Sequence, residues 1–82
     1  MINTLIKRFE ARGFEYDEGV LFKHLTDDCE VNISMNSRTI EFIALLPKSL
    51  YKQSFNMKFI KRDTDIDSYY LGFIDHLNKL LW

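Results

Sequence analysis

Hydrophobic and polar positions change period along the chain, and each change marks an element. Ile2, Leu5, Ile6 and Phe9 recur at helical spacing. They predict a short first helix, with Asn3 as N-cap because its side-chain oxygen can accept a free first-turn amide. Arg12-Gly13 predicts the end of that helix, a basic last turn followed by a residue free to turn left-handed. Phe14-Glu15-Tyr16 leads into Asp17-Glu18-Gly19, a turn signal. Residues 20–26 have strand-like content, and Thr26-Asp27-Asp28 can turn the chain. Over 29–36 the alternation is clean: Cys29, Val31, Ile33 and Met35 share one face, and Glu30, Asn32, Ser34 and Asn36 the other. Asn36-Ser37-Arg38 reads as a hairpin connection, and 39–46 as a third strand. Pro47, the single proline, stops it because it cannot donate to a ladder. Residues 47–54 read either as a helical turn opened by Pro47 or as a loop. Phe55, Met57 and Phe59 alternate with Asn56, Lys58 and Ile60, which predicts a fourth strand.

The C-terminal segment is the clearest helix. Thr64-Asp65-Ile66-Asp67 fits a capping box, and Asp63, Asp65 and Asp67 suit the positive end of a helix. At 100° per residue, Ile66, Tyr69, Tyr70, Phe73, Ile74, Leu77, Leu80 and Leu81 fall within an arc of about 140°, wide enough to cover part of a sheet. Leu71 and Trp82 fall opposite and are candidate outward contacts. The order helix, four strands, helix with short connections predicts an α+β two-layer sandwich (α-β-β-β-β-α). Its antiparallel meander would be covered on one face by both helices.

Composition narrows the class. With 82 residues the chain is expected to form a single domain spanning 1–82. Its 46% hydrophobic and 15% aromatic content argue against a disordered chain. No apolar run is long enough to span a membrane, and the start of the chain lacks a basic region ahead of an apolar run, so neither a membrane segment nor a signal peptide is expected. Cys29 is the single cysteine and cannot pair internally, which predicts a reducing, cytoplasmic setting. Phe, Tyr, Met, Ile, Asn and Lys occupy 34 positions and Gly, Ala, Arg and Pro only 10, a skew that follows AT-rich codons such as those of low-GC bacteria and their phages.

Candidate chemistry is thin. Asp63-x-Asp65-x-Asp67 resembles the opening of a calcium loop, but Ser68 replaces the glycine and Ile74 the bidentate glutamate, so a charged helix start is the better reading. Two histidines, His24 and His76, and one thiol cannot make a zinc site. His24 and Cys29 fall on neighbouring predicted strands, a remote enzymatic alternative, yet Cys29 shares its face with Val31 and Ile33 and should be a buried small hydrophobe. His76 reads as a boundary residue of the last helix. No phosphate-binding loop, nucleophile elbow or zinc-protease motif occurs. No cofactor, metal or catalytic residue is expected.

Charge is segregated beneath the net value of −1. Residues 1–13 carry +2, 14–30 carry −5, 42–62 carry +5 and 63–82 carry −3. The basic block, Lys48, Lys52, Lys58, Lys61 and Arg62, is interleaved with Tyr51, Phe55 and Phe59, so a small RNA- or DNA-binding protein is one reading. Against it, free-standing nucleic-acid binders usually carry net positive charge, and core packing accounts for the rings. If helices cover Val31, Ile33, Ile40, Phe42, Phe55 and Phe59, the other face carries Leu21, Leu25, Ile43, Leu45 and Ile60 among Glu30, Asn32, Glu41 and Lys58. That is more apolar than a purely solvated face. The leading expectation is therefore a non-catalytic protein-binding module, with a protein partner or a second copy of itself. Leu21, Ile43, Leu45 and Ile60 would be its anchor, and Asp17, Glu18, Asp27 and Asp28 its acidic contact. The helix–meander–helix layout resembles small inhibitor proteins made by phages, including anti-CRISPR and host-enzyme inhibitors, a resemblance of architecture that implies action by occupying a partner's surface.

Overall fold

The computed structural model describes the backbone from Met1 to Leu81 and the side chains from Met1 to Leu80. The elements run α1 (Ile2–Ala11), β1 (Glu15–Asp17), β2 (Val20–Thr26), β3 (Cys29–Met35), β4 (Thr39–Leu45), β5 (Leu50–Asn56), a 3-10 turn (Met57–Phe59) and α2 (Asp65–Leu81). The strands form one antiparallel sheet in the order β1-β2-β3-β4-β5. The α+β meander with a helix at each end is thus present, with five strands where four were expected.

Two differences have local causes. β1 has three residues, all exposed, so it carries no apolar alternation. It exists because Glu18 and Gly19 both take positive φ, 48° and 85°, the signature of a two-residue turn that matches strand twist and folds β1 onto β2. The last strand lies at Leu50–Asn56, upstream of the expected 55–60. Its inward positions are Tyr51, Gln53 and Phe55, and the central glutamine weakens the apolar signal. Asn56 then accepts the Lys58 amide with its own side chain at 3.0 Å and tightens the chain into the 3-10 turn. This leaves Phe59 exposed instead of in a strand.

Both helices lie on one face of the sheet. Phe42 of β4 is the hub: its ring lies 6.2 Å from Phe9 of α1, and 5.3 and 6.2 Å from Phe73 and Tyr70 of α2. Leu5, Phe14, Leu21, Cys29, Val31, Ile33, Ile40, Ala44, Ile60, Ile66 and Leu77 complete this core, all buried. The buried side of α2 is Ile66, Tyr70, Phe73 and Leu77, as the helical stripe implied, and Leu71 is exposed as expected, whereas Leu80, at the last turn, is exposed against expectation. The expectations for Leu81 and Trp82 fall on side chains outside those described.

The helices are joined by charge. Arg8 donates to both carboxylate oxygens of Asp67 and reaches Asp63 at 3.4 Å, and Arg12 meets Asp67 at 3.4 Å. Asp65 points the other way, accepting the Lys61 and Arg62 amides at 3.0 Å each. The Asp63-Asp65-Asp67 run therefore serves the helix start and its neighbour. At the other helix, Met1 occupies the N-cap position with no side-chain bond, two residues ahead of Asn3, which lies inside the helix. Its C-terminal end is closed by Lys23, whose ammonium donates to the Arg12 carbonyl at 2.6 Å. No helix of the described residues is long and apolar enough to cross a membrane.

Candidate functional site

Among the described residues, no element covers the face of the sheet opposite the helices. Strand register fixes its occupants: Phe22, Asn32, Ile43 and Lys52 form one cross-strand row, Val20, Ser34, Glu41 and Ser54 a second, and His24, Glu30, Leu45 and Leu50 a third. Leu45 and Leu50 are directly opposed, and Ile43 stands two residues from Leu45 on the same side of β4. Together these three make a contiguous apolar triangle near the β4–β5 connection, with Leu45 36% and Leu50 59% exposed. Phe22 lies beyond Asn32 in the row of Ile43 and is half-buried.

Polar side-chain pairs border the triangle. Lys52, beside Ile43, meets Glu41 at 3.3 Å, and Ser54 donates to the same carboxylate at 3.3 Å. His24 lies 3.2 Å from Glu30, one strand away from Leu45. An apolar centre with a polar border is the usual anatomy of a recognition surface.

Ile43 and Leu45 stand where the sequence placed them. Leu21 does not. It pairs with Ile33 on the helix side and is 1% exposed, because the true register of β2 turns Phe22 outward instead. Ile60 is buried below the 3-10 turn, off the sheet altogether, and Leu25 packs half-buried against the core. The acidic contact residues are divided: Asp17 and Glu18 lie at the β1–β2 turn, Asp27 and Asp28 at the β2–β3 turn, separated by the seven residues of β2 or about 20 Å. Leu50 and Phe22 are outward apolar residues of this face that the sequence pattern did not single out. The Leu50 signal was hidden inside 47–54.

The basic residues are also divided. Lys48 lies in the β4–β5 connection, Lys52 is paired on the outer face, and Lys58, Lys61 and Arg62 follow at the opposite end of β5. Tyr51 turns inward, stacking on Phe73 at 5.4 Å and on His76 at 5.0 Å, so its faces are occupied within the protein. The His24–Cys29 pairing does not form: His24 faces outward opposite Glu30, while Cys29 is buried on the helix side, where burial pushes its thiol pKa up. Among the described residues, no three His, Cys, Asp or Glu side chains gather as a metal site requires. No protein-family model matches the chain, and no curated protein or solved structure is significantly similar to it.

Proposed function

We propose that the protein is a non-catalytic protein-binding module that docks through the uncovered face of its sheet, anchored by Ile43, Leu45 and Leu50. The observation behind this reading is the contiguous triangle those residues form on the face away from both helices. A sheet face meant only for water carries polar residues at such positions, and burying three aliphatic side chains against a partner contributes about 1.5–3 kcal/mol each when complete. The Lys52–Glu41 and His24–Glu30 pairs would sit at the rim, where they orient the partner more than they hold it. Occupying a partner's surface in this way would block or modulate that partner, the mode of action of a small inhibitor.

The test is affinity capture from a lysate of the native host, read by mass spectrometry, with wild type, Leu45→Asp, Leu50→Asp and the helix-side control Leu71→Asp. Wild type and the control should retain one common protein that both sheet variants lose, with all four showing the same circular dichroism and melting. Light scattering covers self-association: a dimer that Leu50→Asp dissociates makes the partner a second copy. Retention of the same protein by both folded sheet variants would remove the anchor from this face.

A further inference from the structure

At the end of the sheet where the β3–β4 turn, the 3-10 turn and the start of α1 meet lies a cleft of about 730 Å³. Its size falls in the range of about 300–1,000 Å³ typical of small-molecule sites. Ile2, Met57 and Ile60 give it apolar walls, and the two charged side chains lining it, Arg38 and Lys58, are both positive. Among the described residues, no carboxylate lines it. Among them neither cation has an ion-pair partner, and the Lys58 ammonium lies 5.3 Å from the centroid of the exposed Phe59 ring.

The two cations stand on tied-down backbone. The Asn36 side chain accepts the Arg38 and Thr39 amides at 2.8 Å each, the Met57 amide donates to the Arg38 carbonyl at 2.7 Å, and Asn56 holds the Lys58 amide. The α1 first turn, which reaches the cleft at Ile2, has neither a capping side chain nor an acidic residue, so its unpaired amides add partial positive charge.

We propose that this cleft binds a small molecule with an apolar body and one anionic head, of the class of medium-chain carboxylates. Arg38 presents a planar fork suited to two carboxylate oxygens, and Lys58 adds a second charge-assisted contact. The walls select the body. Among the described residues no aromatic ring lines the cleft, and methionine and isoleucine adapt to a flexible aliphatic chain. This ligand site is separate from the sheet face and stands or falls independently of it.

The proposal is tested by following backbone amide resonances of the protein with its native N-terminus during titration with decanoate below its micellar concentration. Decylammonium and inorganic phosphate serve as separate probes. Decanoate should move the amides of Ile2, Asn3, Ser37, Arg38 and Lys58 saturably, and the folded double variant R38Q/K58Q should bind it about tenfold more weakly or worse. Decylammonium, with the same body and the opposite charge, and phosphate, with charge and no body, should leave those resonances unmoved. Equal response to decylammonium, equal response to phosphate, shifts that never saturate, or undiminished binding by the double variant would each overturn it.

Discussion

Cys29 begins β3 with 1% of its surface exposed, and burial without a cationic neighbour raises its pKa, so the thiolate is scarce and shielded. Ellman's reagent should react with the native protein far more slowly than with the protein in concentrated urea. Comparable rates in the two would show an accessible thiolate and reopen nucleophilic chemistry at this position. The same residue shows how far single positions could be read. Cys29, Val31 and Ile33 alternate with Glu30, Asn32 and Ser34, so their inward facing was legible from period alone. Leu21 and Phe22 were not separable that way, because adjacent apolar residues fit either register and only pairing with Ile33 and Asn32 decides between them. Lys23 gave no warning of its role, since an inward lysine is explained by a carbonyl it caps across the fold, not by its neighbours in sequence.

At the scale of elements, the two helices meet through an ionic cluster as well as the Phe9–Tyr70 ring pair. The hydrogen bond and charge of Arg8, with Arg12 behind it, hold the Asp67 carboxyl below its usual pKa. A lowered folded-state value means that the pair contributes its full stability above the unfolded carboxylate value of about 3.9 and loses it as pH falls through the folded one. Asp65 acts in the same direction through the Arg62 and Lys61 amides it accepts. The melting temperature should therefore drop on acidification below about pH 4, and Asp67→Asn should melt lower than wild type near neutrality while losing less on acidification. Superimposable acid limbs for the two proteins would show the clamp to be idle. The acidic start of α2 was evident in the sequence, but its partner was not, because Arg8 and Asp67 are 59 residues apart. Likewise β3 announced itself by alternation, and β2 and β4 by strand-like content between turn or proline signals, whereas β1 depended on turn geometry and β5 on a strand whose middle inward residue is Gln53.

Across the whole molecule, one ring connects every layer. Phe42 touches α1 through Phe9, α2 through Tyr70 and Phe73, and the neighbouring strand through Phe55. Phe42→Ala should cost about 3–5 kcal/mol, a large share of the roughly 5–15 kcal/mol available to a domain of this kind. It should lower the urea midpoint as a single transition for helix and sheet signals alike. Separate transitions would mean that the helices and the sheet are not one cooperative unit. The layered plan was legible because amphipathic helices and short connections admit few arrangements. The cleft at the sheet end was not, since it is assembled from the start of α1, the β3–β4 turn and the residues after β5, three stretches with no shared motif. The position of α2 at the end of the element order has a consequence during synthesis. Each strand can pair with its predecessor as soon as it leaves the ribosome, yet Phe73, Tyr70 and Leu77 arrive only afterwards. Until then the nascent sheet has its inner face only partly shielded, by α1 alone, and a release of the chain ahead of Asp65 would leave a greasy surface for chaperones or proteases to find.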